Sequence, residues 1–426
     1  METVASKPTT LPRAITGPLN IERSMQMLEA ARKLIPGVTQ SMMKRPEMFA
    51  LGEFPVYLAG GQGALVDDVD GNQYLDMICG LAANTLGHNH PAVVGAIQSH
   101  LAKGVLHSLP TEVEISATLA LVEIIPNAEM ARFFKTGADA TSAAVRLSRH
   151  ITGREHIITV GYNGWHDHFQ FDTPGVPKAV ADNTTRMPLF TPPDEPALLA
   201  KIAELGDKLA CVLLSVPYNR VLSREFVQAV RAACTANGTL FILDEVVTGF
   251  RLALGGAQEF FGVDADMVCL SKGIAAGMPL SAIAGPERHL RRLDELQVST
   301  TFGGEVLSLA VCEAVIGVYR ETDYVARIAE LGRHLRTGVN AAAEAVGAPL
   351  RIHGYDPIPL FLMSRDPAKH VKLMQPFQAA MARRGVLLRR DVNFICGAHT
   401  EEQIDFVIAA AADALHALQQ QGVFAG

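Results

Sequence analysis

The strongest constraint on this chain is an alternation of short apolar runs with helical stretches, which sets in near residue 92. Helix-like stretches at Ala92–Lys103 and Glu112–Ile125 lead into strand candidates at Ala131–Lys135, Ile157–Val160, Ala210–Val216, Thr239–Leu243, Met267–Leu270 and Ser281–Gly285. Helical patterns at Ala140–Thr152, Glu225–Asn237 and Val306–Tyr319 fall among and after them. A strand that is apolar on both sides must be covered on both faces, so the alternation predicts an α/β fold with a mostly parallel sheet flanked by helices.

The segments outside this region have a different character. Apolar positions Met25, Leu28, Ala31 and Leu34 keep helical spacing until Pro36-Gly37 stops the run. Val56–Leu58 and Ala64–Val66 read as short strands around Gly60-Gly61-Gln62-Gly63, and Asp70-Gly71-Asn72 turns the chain into Tyr74–Met77. From Tyr324 to the end, helices mix with short strands such as Leu360–Met363 and Val386–Leu388. These features predict a loose arm over residues 1–19 and a small α+β domain built from both chain ends. Residues 1–70 form the arm and part of that small domain, 71–309 the large domain, and 310–426 the rest of the small one.

Composition narrows the setting. Half the residues (49%) are hydrophobic, enough for a substantial core in a chain of 426 residues. The net charge of −7, with no basic stripe, argues against nucleic acid and anionic membranes as partners. No window approaches the ~18 unbroken apolar residues of a membrane helix, and the first residues lack a signal-type apolar core. The six cysteines are scattered singly, as reduced and mostly buried thiols would be, so a cytoplasmic location is expected.

Several common chemistries lack their motifs. No Gly-Lys-Ser/Thr phosphate loop and no Gly-x-Ser-x-Gly elbow occurs. Gly61-x-Gly63 has Val66 where a dinucleotide fingerprint needs a small residue. His88-Asn89-His90 and His166-Asp167-His168 lack the i, i+4 spacing of a helical metal site, so no metal is expected.

What remains lies at expected strand ends, where open α/β sheets bind ligands. Phe241–Leu243 delivers Asp244 and Glu245 to opposite faces, and a buried Asp there needs a cation such as a protonated ring nitrogen. Met267–Leu270 ends in Ser271-Lys272-Gly273, a position where a desolvated lysine can form an imine. Thr136-Gly137-Ala138 opens a helix and offers backbone N–H groups to a phosphate, although the same residues would serve as an ordinary helix cap. Gly161–Asp167 sets the single Trp165 beside Tyr162 in a glycine-bounded loop, an aromatic wall for a flat ring. A phosphate cradle, an aromatic wall, an acid and a lysine together describe pyridoxal 5′-phosphate.

These segments resemble the class III aminotransferases, fold type I pyridoxal-phosphate enzymes that include glutamate-1-semialdehyde aminomutase. The resemblance runs from about Asp67 to Ala310 and is most specific in Leu243-Asp244-Glu245-Val246-Val247-Thr248-Gly249-Phe250-Arg251 and Ser271-Lys272-Gly273. It implies that Lys272 forms the Schiff base and that Asp244 holds the pyridine nitrogen. Val246 and Tyr162 would flank the ring. Gly137 and Ala138 match the family's phosphate loop, with Ala138 replacing the usual Ser or Thr, and Asn163 replaces a frequent His. Thr301 matches a threonine that reaches the phosphate of a neighbouring subunit, so the resemblance also implies a homodimer with shared active sites. The cofactor would alternate with pyridoxamine 5′-phosphate during amino transfer between an amine donor and a carbonyl acceptor.

Two departures bear on the substrate. Val216, in Ser215-Val216-Pro217-Tyr218, stands where many relatives have a glutamate paired with a carboxylate-gripping arginine. Val38–Met43 replaces the aminomutase's Val-Asn-Ser-Pro-Val-Arg stretch. Both weaken the case for glutamate-1-semialdehyde as substrate. The loss of the glutamate resembles aminotransferases acting on amino sugars and aminoglycosides, so such a substrate is expected, with an aminomutase of the glutamate-1-semialdehyde type or an epimerase as the alternative.

Overall fold

The computed structural model describes residues 11–424 and divides into two compact units. Residues 1–10 of the expected arm lie outside the described residues; within its remainder, Arg13 donates to Asp67 at 2.8 Å.

The larger unit comprises residues 82–85 and 91–326. Its sheet holds seven strands, β1 (Met130–Phe134), β2 (His156–Val160), β3 (Thr184–Met187), β4 (Leu209–Ser215), β5 (Leu240–Glu245), β6 (Met267–Leu270) and β7 (Ser281–Gly285), in the order β1-β7-β6-β5-β4-β2-β3. Pairing is parallel from β6 through β3, while β7 runs antiparallel to both β6 and β1. Two reversals restore the direction of β1, so its carboxyl end shares an edge with those of β2, β4, β5 and β6. The six predicted strands are present, Met267–Leu270 and Ser281–Gly285 with the expected bounds and the other four shifted by one or two residues. The strand β3 had no apolar signal, because Thr184-Thr185-Arg186-Met187 lies at the sheet border and needs cover on fewer sides.

The sheet is apolar because both faces are covered. The helix Gly137–Thr152 packs Ala140, Ala144 and Leu147 on Leu213, Ile242, Cys269 and Ile283. The helix Arg224–Ala236 buries Phe226, Val227, Val230 and Cys234 along one stripe. Each fully buried leucine or isoleucine contributes ~1.5–3 kcal/mol of hydrophobic burial.

Of the described residues, the smaller unit comprises 11–81, 86–90 and 327–424. The strand Leu58–Gln62 pairs antiparallel with Leu65–Asp68, which pairs antiparallel with Gln73–Asp76, and Val386–Leu387 adds in parallel. Gly60 and Gly61, expected to lie between strands, sit inside the first one beside a register irregularity. A Cβ on Gly61 would meet the His88 ring at 2.8 Å, so the glycine admits that ring.

The division differs from boundaries at 70 and 309. Gln73–Asp76 belongs with the smaller sheet through its two pairings. The helix Val306–Glu321 packs on Pro91–Leu101 and Glu112–Ile124 and so stays with the larger unit. Among the described residues, no helix is long and apolar enough to cross a membrane.

Candidate active site

Strand alternation fixes the first element of the site. Leu240 and Ile242 point to the face packed by Gly137–Thr152, so Asp244 points there too and Glu245 points away. Asp244 is 3% exposed; Asn163 Nδ2 donates to its Oδ2 at 2.7 Å and the Val246 amide to its Oδ1 at 3.1 Å. Burial raises its carboxyl to about 6, against the opposing pull of the Asn163 and Val246 hydrogen bonds and the Lys272 charge. Glu245 accepts the Ala257 amide at 2.5 Å on the opposite face, and burial raises it to about 7. The two adjacent carboxyls therefore serve different sides of the sheet.

Lys272 follows β6 by two residues. Cys269 lies opposite Asp244 in the ladder, which brings the lysine to the same edge as the acid. The Lys272 backbone is left-handed, with φ of +48°, a conformation that an L-residue adopts only when its surroundings hold it. Those surroundings are visible: Tyr319 donates its hydroxyl to the Gly273 carbonyl at 2.7 Å, hydrogen-bonds Thr85, and stacks on Phe250 with ring centres 5.3 Å apart. A Cβ on Gly273 would press on Thr85 Cγ2 at 3.1 Å. Thr85 and Tyr319 escaped sequence reasoning because they are far from the lysine in sequence, and Tyr319 read only as the end of a helix.

The helix Gly137–Thr152 begins with a reciprocal cap. Thr136 Oγ1 accepts the Asp139 amide at 3.2 Å, and Asp139 accepts the Thr136 amide at 2.8 Å. The amides of Gly137 and Ala138 have no acceptor among the described residues, so the cap interpretation and the anion-cradle interpretation both hold for different donors. A Cβ on Gly137 would lie 3.0 Å from both methyls of Val246, which places this helix start against the residue after the strand. Gly164, at φ +132°, packs so close to the helix start that an added Cβ would lie 2.9 Å from Ala138 Cβ.

The loop after β2 divides its roles. Asn163 is 4% exposed, its carbonyl accepts from Thr141 Oγ1 at 2.7 Å, and its side chain turns to Asp244. Its Oδ1 has no hydrogen-bond partner among the described residues. Tyr162 and Trp165 are exposed, leaving their rings open to a planar group. Sequence reasoning gave Asn163 no part in the site, although its place beside Tyr162 was the signal. His166 hydrogen-bonds Ser142 at 2.6 Å and His168 packs edge-on against Phe169. Thr301 lies exposed in the segment before Glu305, which takes the Lys135 ammonium at 2.9 Å and caps Val306–Glu321.

Comparisons with known proteins identify the family and the fold. A family model described as aminotransferase class-III matches residues 50–172 and 219–392. The unmatched interval includes Val216. A glutamate-1-semialdehyde 2,1-aminomutase of Syntrophobacter fumaroxidans is 32% identical, over 92% of this chain and 97% of that protein. A 3-aminobutyryl-CoA aminotransferase of Cloacimonas acidaminovorans is 30% identical, over 93% of this chain and 97% of that one. A solved transaminase with PLP bound superposes with a TM-score of 0.85 at 26% identity, covering 95% of this chain and 99% of its own.

Proposed function

Starting from the fact that the chain belongs to the class III aminotransferases, we propose that Lys272 and Asp244 are its catalytic pair and that its substrate is a hydroxylated amine such as an amino sugar or aminoglycoside. The protein is a PLP-dependent aminotransferase of fold type I. When bound, pyridoxal phosphate supplies the electron sink for the bond broken beside the substrate nitrogen.

The residues present fit that group. Two unpaired amides at Gly137 and Ala138 begin a sixteen-residue helix and suit a phosphate. Asp244 is a buried acid with two hydrogen-bond donors on its oxygens, and a protonated ring nitrogen would add a cationic partner beside it. Tyr162 and Val246 would bracket the ring. Lys272 Nζ binds the cofactor and then moves the proton at the reacting carbon as base and acid. The Tyr319 and Thr85 contacts orient its turn, and Asn163 orients Asp244.

The observation that carries the catalytic assignment is the ladder register, which places Lys272 and Asp244 at one sheet edge beside an open helix N-terminus. Val216 supports the substrate assignment, since an aliphatic side chain cannot hold an arginine in place of the missing glutamate. The aminomutase relative at 32% identity favours a second reading, an internal amino shift on the same residues. Turnover with a panel of amino sugars, aminoglycosides and glutamate-1-semialdehyde separates them. Carbonyl product from the sugars supports the first reading, and isomerisation of the semialdehyde without a second carbonyl acceptor supports the other.

A homodimer is part of the same proposal. Ile115 and Leu119 project from one face of Glu112–Ile124 and are 65% and 54% exposed, with Leu109 at 78% and Phe302 at 56% in the same unit. Such an apolar surface suits a second copy, and Thr301 beside Phe302 would then reach that copy's phosphate site. A cytoplasmic setting suits the six free thiols.

A further inference from the structure

The four cysteines of the larger unit, Cys211, Cys234, Cys269 and Cys312, are buried, and burial raises each thiol. The two in the smaller unit are arranged differently. Cys79, Cys396 and His399 are 2%, 1% and 0% exposed, and one side-chain donor atom from each lies within 4.8 Å of the others. None of the three takes part in the chemistry described above.

The backbone fixes this arrangement. Cys79 has φ of +48°, held by Asp76 Oδ1, which accepts the amides of Ile78 at 2.8 Å and Cys79 at 3.1 Å. Cys79 Sγ sits 3.4 Å from the carbonyl oxygens of Asp76 and Phe394, within 4.8 Å of the Cys396 sulfur. His399 Nδ1 accepts the Cys396 amide at 2.9 Å. The neighbouring Cys79 and His399 hold the Cys396 thiol well below its ordinary range despite burial.

A Cys, Cys, His cluster can also be a soft-metal site. Here the ring argues against one. With Nδ1 occupied by an N–H donor, the neutral imidazole keeps its proton on Nε2, which has no acceptor among the described residues. Neither nitrogen then has a free lone pair to offer a metal. The sulfurs, in contrast, lie within 4.8 Å of each other with no other side chain required to bring them together.

We propose that Cys79 and Cys396 are a peroxide-sensitive thiol pair that closes into an intrachain disulfide. The Cys396 sulfur attacks one oxygen of hydrogen peroxide, the O–O bond breaks, and the departing hydroxide takes the thiol proton to leave as water. The Cys79 sulfur then attacks the resulting sulfenic sulfur; its own proton joins the displaced hydroxyl as a second water. Two thiols and one peroxide give one disulfide and two waters, the sulfurs losing the two electrons that the peroxide oxygens gain. The product links the segment after Gln73–Asp76 to the segment before the helix Glu401–Gln420.

The test is peroxide treatment of the folded holoenzyme, then denaturation, thiol labelling and peptide mass spectrometry. Two of the six thiols should be lost per chain, recovered as a Cys79–Cys396 linked peptide and restored by a dithiol reductant. In Cys79→Ser the reaction should stop at a trappable sulfenic acid on Cys396, and in Cys396→Ser no linked peptide should form. Uniform loss across all six thiols, no loss before unfolding, or a stoichiometric zinc that both variants release would overturn the proposal. The wild-type peptide map decides it even if a variant fails to fold.

Discussion

Asn163 donates a 2.7 Å hydrogen bond from Nδ2 to Asp244 Oδ2, joining the loop after β2 to the end of β5 inside the sheet edge. The bond sets the orientation of the carboxylate and supplies part of the stabilisation that burial removes. Asn163→Ala should leave that oxygen without its donor and raise the Asp244 carboxyl above about 6. Hydrogen bonds to charged groups contribute about 1.5–3 kcal/mol, so the cofactor should be held roughly tenfold or more weakly. Titrating cofactor into the cofactor-free variant measures the loss.

Asp244 also sets a pH dependence. In the folded chain without cofactor its carboxyl titrates near 6 instead of the ordinary 3.8. The folded state therefore holds a proton that the unfolded state has lost between those pH values, and stability falls as pH rises through the window. The full effect is up to about 3 kcal/mol at neutral pH. Asp244→Asn should accordingly raise the melting temperature of the cofactor-free protein at pH 8, leave it nearly unchanged at pH 4, and abolish turnover. Calorimetry at the two pH values checks the sign.

The Lys272 turn depends on groups distant in sequence. Tyr319→Phe removes the hydroxyl that donates to the Gly273 carbonyl and should cost about 1–3 kcal/mol of stability, because that carbonyl is left unpaired. As a positioning residue, Tyr319 should affect kcat more than KM. Denaturant unfolding and steady-state kinetics on the same variant separate the two effects.

Gly164→Ala tests the helix start. The φ of +132° disfavours any Cβ, and an added one would sit 2.9 Å from Ala138 Cβ. Relaxing that contact displaces the amide expected at the phosphate, at a cost of about 1–3 kcal/mol. Cofactor should wash out of the variant faster while overall secondary structure is retained.

How far the sequence alone reached follows from how local each signal was. Strands β4, β5 and β6 were legible because burial on both faces leaves an unbroken apolar run, and their polar ends, Asp244 and Lys272, stood out against it. The border strand β3 carried no such run. Gly60 and Gly61 read as a break, although close approach of His88 is what makes glycine necessary at Gly61 inside that strand. Asn163, Thr85 and Tyr319 act through contacts that only the fold creates. The thiol pair Cys79 and Cys396 was hidden by their separation along the chain.

Oligomerisation offers a separate check. Replacing exposed Ile115 with Glu should shift the mass measured by light scattering from two chains to one and lower activity if Thr301 serves the second copy.

The most direct measurement is borohydride reduction of the holoenzyme followed by peptide mapping. The cofactor's mass should be found on Lys272, and Lys272→Ala should retain no reducible cofactor while losing about 10²–10⁴-fold or more in turnover. Cofactor fixed to a different lysine, or undiminished turnover in Lys272→Ala, would contradict the assignment of this residue and of the sheet edge built around it.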